Sequence, residues 1–163
     1  MGTGQTAKSY MEWFSAGEMH EHSKKWLSEL SFIKDEQEFL KNLIRSFAIK
    51  PLDKKEFGRI NDFKNALAEN KRRLNLIFKQ VQRHMGQLEI MMDGVNQLEM
   101  EQAYRKTHKK LFLKVNNYLL DYRTIKKKGF VQLSAILKHG KQKIALGNPN
   151  YEVRNVNKEI MDL

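Results

Sequence analysis

Apolar residues recur along this chain in steps of three and four over three long stretches. The first series is Met19, Trp26, Leu30, Ile33, Leu40, Ile44 and Phe47, with Ser23 and Gln37 at the two remaining positions. The second is Ile60, Phe63, Leu67, Asn70, Leu74, Ile77, Val81, His84, Leu88 and Met91. The third is Tyr104, His108, Leu111, Val115, Tyr118, Tyr122, Ile125, Gly129, Gln132 and Ile136. Alternating steps of three and four are the heptad signature, so the chain is predicted to form long helices that each bury one narrow stripe.

Capping and breaking residues divide these stretches into three helices. Pro51 has no amide hydrogen and ends the first helix near residue 49. Asp53, followed by Glu56, is typical of the capping box that begins a helix, and Gly94 is suited to a left-handed helix end. The predicted helices cover residues 17–49, 54–93 and 97–146.

The predicted organisation is an N-terminal arm, a three-helix bundle and a tail, at residues 1–16, 17–146 and 147–163. Connections of about four residues favour antiparallel neighbours. We therefore predict an all-α fold, an antiparallel up-down-up bundle of three long helices with coiled-coil-like seams. Aromatic residues of the arm are expected to cover one end of the bundle. In the tail, apolar residues at helical spacing indicate a short docked C-terminal helix as one interpretation; they are Val153, Val156, Ile160 and Leu163.

Composition narrows the class of protein further. The 163 residues fit one domain, and 30% charged residues with only 2 prolines and 9 glycines are typical of a helical bundle. The chain has no cysteine, which excludes disulfides and thiolate chemistry and fits a reducing compartment. We find no signal-peptide pattern and no transmembrane segment, so we expect a cytoplasmic protein.

Three histidines are predicted to share one layer of the bundle. Antiparallel helices bring residues equidistant from a turn to the same height. Reflecting His84 through the turn near residue 95 lands within one helical turn of His108. Reflecting it through the turn near residue 52 lands two residues from His22.

Imidazole nitrogens that converge from separate helices can bind zinc or another divalent metal. The metal hypothesis therefore assigns His22, His84 and His108 as ligands. The alternative is that the three are packing residues at the edge of the core. The sequence has no di-iron E-x-x-H motif, H-E-x-x-H motif, nucleotide-binding glycine loop or serine nucleophile elbow, so we expect no enzymatic activity and no cofactor other than this metal.

The excess positive charge is concentrated in residues 105–143. That stretch has 12 basic residues and one acidic residue, Asp121, whereas the rest of the chain has 18 of each. The candidate residues for binding an anionic surface are Arg105, Lys106, Lys109, Lys110, Lys126, Lys127, Lys128, Lys138, Lys141 and Lys143. Because Lys126 to Lys128 are consecutive, the charges do not all lie on one narrow face. A solvated outer face is the alternative interpretation.

The run WLSELSFIKDEQEF at Trp26 to Phe39 and the run LEIMMDG at Leu88 to Gly94 give this chain a resemblance to a family. In segment order, most of the chain resembles uncharacterised small all-helical proteins of Bacteroidota bacteria. The resemblance implies a bacterial, cytoplasmic, all-helical protein. It transfers no functional residue.

These observations lead to one main functional prediction and two alternatives. The main prediction is a non-enzymatic interaction or scaffold module that presents its basic helix to an acidic protein partner or another anionic surface. The alternatives are a metal-binding bundle and a nucleic-acid-binding protein, in which aromatic residues of the basic helix, such as Tyr118, Tyr122 and Phe130, would stack on bases. Polar residues in the stripes, Asn70 and Gln132, are expected to fix register or the state of a homo-oligomer.

Overall fold

The protein is all-helical in the part of the chain that its computed structural model describes, residues 14–94 and 98–145. Helix α1 spans Ala16–Ala48, α2 spans Lys54–Asp93 and α3 spans Leu98–Ala145. These bounds agree with the predicted helices to within one or two residues. Most of the predicted arm and the whole predicted C-terminal tail lie outside the described residues.

Local hydrogen bonds explain where the helices begin. The Ser15 amide donates to Glu18 Oε2 at 2.8 Å, and the Glu18 amide donates to Ser15 Oγ at 3.2 Å, which forms a capping box at α1. The predicted box at α2 is present, since the Asp53 amide donates to Glu56 Oε2 at 3.0 Å and the Glu56 amide to Asp53 Oδ1 at 2.7 Å.

The buried face of each helix follows the predicted stripe. In α1 every predicted position is buried except Trp26, which is half-buried, and in α2 the single exception is Met91. In α3 the half-buried exceptions are Tyr104, Ile125 and Gln132. Side chains of α1 contact α2, and side chains of α2 contact α3, which fits a helical bundle.

The chain divides into two compact units, each built from parts of all three helices. Unit 1 comprises residues up to 34 together with 72–120, and unit 2 comprises residues 35–71 together with those from 121 onward. In unit 1, Phe14, Met19 and Leu88 form a core cluster. In unit 2, the buried amides of Gln37 and Asn70 are joined by a hydrogen bond of 2.7 Å.

No helix in the described ranges is both long enough and apolar enough to cross a membrane.

Candidate functional site

The structure brings the three predicted histidines together in unit 1. His22 is on α1, His84 on α2 and His108 on α3. His84 Nε2 lies 3.0 Å from His108 Nδ1, and His22 Nδ1 lies 3.3 Å from His108 Nε2. The rings of His84 and His108 are buried, and His22 is half-buried. The sequence reasoning therefore placed the right three side chains in one layer.

The three imidazoles form a chain and not a ring of converging ligands. His108 occupies the middle, and each of its two nitrogens faces a different histidine. Among the described residues, the only trio of potential ligands whose atoms all lie within 4.8 Å of one another is Asp53, Glu56 and His139. A single metal ion bound by all three histidines would require one nitrogen from each ring to point at the ion, whereas the two nitrogens of His108 face two different histidines.

Aromatic side chains enclose the histidine chain. Trp26 stacks on His108 with ring centroids 4.6 Å apart and an interplanar angle of 23°. Phe14 meets His22 edge-on at 4.7 Å, and Tyr104 meets His84 edge-on at 6.4 Å. Trp26 and Tyr104 lie in the periodic stripes of the sequence. Phe14 belongs to the predicted arm, whose aromatic residues were expected to cover one end of the bundle, but no local pattern indicated its contact with His22.

Burial keeps the two inner histidines, the buried His84 and His108, neutral. It lowers the pKa of His84 from 6.5 to about 4. Burial first, and then the electrostatic effects of His84 and His22, lower the pKa of His108 from 6.5 to about 3. A buried imidazolium loses its hydration, and in this layer no carboxylate hydrogen-bonds to either inner ring among the described residues.

The hydrogen-bond pattern assigns the tautomers. His84 Nδ1 is buried and has no hydrogen-bond partner in the described part of the chain. A buried acceptor without a donor costs less than a buried N–H without an acceptor. We therefore assign the proton of His84 to Nε2, from which it donates to His108 Nδ1; His108 Nε2 then donates to His22 Nδ1.

The trio of Asp53, Glu56 and His139 in unit 2 serves a structural role. Both carboxylates are engaged in the capping box of α2. The remaining oxygen of Glu56, Oε1, lies 2.5 Å from His139 Nδ1, and Lys143 Nζ lies 4.0 Å from Glu56 Oε2. The backbone amide of Glu56 lowers the pKa of Asp53. His139 and Lys143 therefore already lie against the Glu56 oxygens that a metal ion would need.

In unit 1, one of the basic residues predicted to bind an anionic surface already forms bonds within the fold. Arg105 bonds to Glu101 at 2.6 Å and donates to the carbonyl oxygen of Phe14 at 2.9 Å. Lys106 and Lys110 are exposed, and Lys109 is half-buried. Arg105 therefore holds the segment before α1 in place, which is a structural task that the sequence did not predict.

In unit 2 the basic residues fall into two groups. Lys126 pairs with Glu36 of α1 at 2.9 Å, and Lys143 lies near Glu56. By contrast, four lysines of α3 are exposed and form no ion pair with any residue in the described ranges; they are Lys127, Lys128, Lys138 and Lys141. We call these four the lysine group. Of the ten predicted residues, this group has the largest unbalanced charge.

The aromatic residues of α3 provide little surface for stacking bases. Tyr118 and Tyr122 are buried, and the Tyr122 hydroxyl donates to Glu36 Oε2 at 2.8 Å. Phe112 is half-buried, so Phe130 is the one exposed aromatic side chain among those four.

The chain matches no protein-family model, no curated protein and no solved structure.

Proposed function

We propose that this protein is a non-enzymatic interaction module that binds an acidic protein partner through the lysine group of α3. The observation that carries the proposal is the exposure of four cations that no described carboxylate neutralises. In α1, by comparison, two exposed lysines pair with a glutamate one turn away, Lys24 with Glu21 at 3.1 Å and Lys41 with Glu38 at 3.5 Å. The sequence of α3 does not provide such partners, since Asp121 is the only acid between residues 105 and 143.

Such a surface acts mainly on the rate and selectivity of association. Screened interactions between exposed charges contribute a few tenths of a kcal/mol each, about 0.2–1 kcal/mol. A local field of one sign steers an oppositely charged partner and disfavours basic ones. An acidic protein fits better than nucleic acid, because the exposed side chains between the lysines are mostly aliphatic, including Val131 and Leu137.

The proposal can be tested with labelled poly-glutamate as a probe, titrated with the full chain at about 0.15 M salt. Changing the lysine group to glutamine should weaken binding about five- to tenfold, the combined loss of four screened interactions. The matched control changes four exposed lysines of α2 to glutamine, at Lys54, Lys55, Lys64 and Lys79. Both variants lose the same net charge, so equal weakening would overturn the assignment of the site to α3.

The same titration with a single-stranded oligonucleotide tests the nucleic-acid alternative. If the oligonucleotide binds more tightly than poly-glutamate at equal ionic strength, and its affinity falls more steeply with salt, nucleic acid replaces the acidic protein as the partner.

Metal binding by His22, His84 and His108 is the second candidate function. The observation in its favour is that three helices contribute one imidazole each to a single layer. The 3.3 Å between His22 Nδ1 and His108 Nε2 is also close to the separation of two nitrogens on tetrahedral zinc, about 3.3 Å for typical zinc–nitrogen bonds.

Elemental analysis of untagged protein tests the metal hypothesis. Near-stoichiometric zinc that is lost in His84→Ala would establish the site. Protein that stays metal-free after dialysis against zinc would remove it.

We also propose that the helices form an antiparallel up-down-up bundle with coiled-coil-like seams. Contacts within unit 1 support this direction, since His84 contacts His108 while Gln80, earlier in α2, contacts Lys114, later in α3. The sequence periodicity supports the seams.

Contacts within unit 2 support the same arrangement independently. Glu56 of α2 contacts His139 of α3, and Phe63, one to two turns later in α2, lies against Gly129, which is earlier in α3.

A further inference from the structure

A second apolar stripe runs along α3 in unit 2, outside its buried face. It consists of Phe130, Leu137 and Ile144, which follow one another at steps of seven residues. Their exposed fractions are 43%, 44% and 48%, so each side chain rests partly on the helix surface and presents about half of itself outward. We call these three residues the lateral stripe.

The spacing places the lateral stripe on one face of α3. Seven residues turn an α-helix through nearly two full turns, so residues seven apart lie almost above one another. The stripe borders the buried face of α3, because the buried residue Leu133 lies one turn from both Phe130 and Leu137. From Phe130 to Ile144 the stripe extends about 21 Å along the axis, at about 1.5 Å per residue.

Members of the lysine group flank the lateral stripe. Lys127 precedes Phe130 by three residues, and Lys141 precedes Ile144 by three, so each lysine lies one turn from an apolar neighbour. Lys138 follows Leu137 directly. Apolar residues every seventh position with charges beside them match one of the two core positions of a coiled-coil heptad.

We infer that the lateral stripe, together with Lys127, Lys138 and Lys141, is a docking site for an acidic amphipathic α-helix of a partner protein. This inference rests on the proposed function, and it adds the secondary structure and the pattern of the partner. The docked helix carries apolar residues at heptad spacing over about two heptads, and glutamate or aspartate beside them opposite the lysines.

Other occupants match the surface less well. A second copy of this chain would bring the same lysines to the interface, and like charges directly opposed are destabilising. Aliphatic side chains at Leu137 and Ile144 offer no face on which a base could stack. Half of each stripe residue is covered by its surroundings, which limits how deeply it could enter a lipid bilayer.

The test uses the full chain and a synthetic three-heptad peptide with leucine at the a and d positions and glutamate at e and g. The control peptide has the same composition in scrambled order. Leu137→Gln combined with Ile144→Gln should weaken binding of the heptad peptide at least about tenfold, because two apolar contacts with the peptide are lost. The matched control is Leu76→Gln combined with Ile90→Gln, at exposed positions of α2, and should change affinity less than about twofold.

Folding is checked in parallel by far-ultraviolet circular dichroism and thermal unfolding. Leu137→Met, which keeps the apolar volume, should retain binding of the heptad peptide. Loss of binding in this conservative variant would overturn a role for the stripe.

The outcomes separate this inference from the proposed function. If the lysine-group variant weakens binding but the stripe variant does not, or if the scrambled peptide binds equally well, the acidic-partner proposal stands and the docking helix is excluded. If neither variant weakens binding, both fail. Vesicles of phosphatidylcholine and phosphatidylserine, and sedimentation of the protein alone, complete the set. Stripe-dependent vesicle binding, or stripe-dependent self-association, would assign the surface to a membrane or to a second copy and overturn the inference.

Discussion

At the scale of single residues, the histidine chain makes folding sensitive to pH. Each inner histidine has an ordinary pKa of 6.5 when the chain is unfolded, whereas in the folded protein the value is about 4 for His84 and about 3 for His108. Between these values the unfolded state binds more protons than the folded state. The stabilisation is therefore complete above pH 6.5 and is lost as the pH falls toward 4 and then 3.

We predict that the free energy of unfolding is flat from pH 8 to about 6.5 and then declines toward pH 5. The limiting slope is about 1.4 kcal/mol per pH unit for each histidine once its unfolded form is fully protonated. Denaturant titrations at constant ionic strength measure this profile. His84→Gln keeps a donor for His108 and removes one titrating group, so the slope should fall to about half. A flat profile down to pH 5 in the unsubstituted protein would contradict this account.

Gly129 is required by the ring of Phe63. A Cβ atom at Gly129 would lie 2.3 Å from two carbon atoms of that ring, which is far inside any normal contact. We predict that Gly129→Ala lowers the free energy of unfolding by about 1–3 kcal/mol, despite the better helix propensity of alanine.

A double-mutant cycle with Phe63→Leu isolates this contact. The smaller side chain removes the ring atoms that meet the new methyl group. The double variant should therefore be more stable than the sum of the two single losses allows, by about 0.5 kcal/mol or more. Strict additivity in thermal or urea unfolding would mean that the helix relaxes elsewhere.

At the scale of helices, the amide pair of Gln37 and Asn70 fixes α1 against α2. Gln37 Nε2 donates to Asn70 Oδ1 at 2.7 Å in a buried position of unit 2. Replacing either residue alone by leucine should lower the free energy of unfolding by about 1–3 kcal/mol, because the other amide is left buried with its hydrogen bond lost.

Replacing both amides by leucine should recover most of that loss or exceed it. The expected cost is specificity, which size-exclusion chromatography and sedimentation would reveal as mixed association states. A double variant that is less stable than both single variants would show that the pair contributes net stability and not register.

Much of the helical structure was predictable because its signals are local. The three- and four-residue steps identify the residues that face inward, and Asp53 with Glu56 marks a helix start within one turn of chain. The histidine layer was predictable because helices are rigid and rise by a constant amount per residue. The sequence does not predict which ring nitrogen of each histidine faces its neighbour, because that depends on side-chain rotation.

The misses are contacts without a local pattern. Asn70 was expected to fix register, but its pairing with Gln37 was not predicted, although reflection through the turn near residue 52 reaches residue 34, one turn from Gln37. The ion pair of Lys126 with Glu36 joins residues 90 positions apart, and no local sequence pattern around either residue predicts it. The set of residues predicted to bind an anionic surface therefore included basic side chains, such as Lys126, that form ion pairs within the fold.

At the scale of the whole molecule, the two compact units should respond differently to acid. Both histidines with strongly lowered pKa values lie in unit 1, whereas the described part of unit 2 contains none. We predict that at pH 5 amide hydrogen exchange accelerates first in segments 16–34, 72–94 and 98–120, because protonating the histidine layer favours opening there. Mass spectrometry of peptic fragments at pH 7 and pH 5, with rates corrected for intrinsic exchange, measures this. Equal acceleration across both units would contradict it, and His108→Gln should reduce the difference, since His84 still titrates.

The stacking of Trp26 on His108 also gives the molecule an optical property. The chain has two tryptophans, and Trp13→Phe would leave Trp26 as the sole indole. An imidazole 4.6 Å from an excited indole becomes a much stronger electron acceptor when it takes up a proton. Emission from Trp26 should therefore dim as His108 is charged, so that the fluorescence of this one side chain reads the charge state of a buried layer without any added dye.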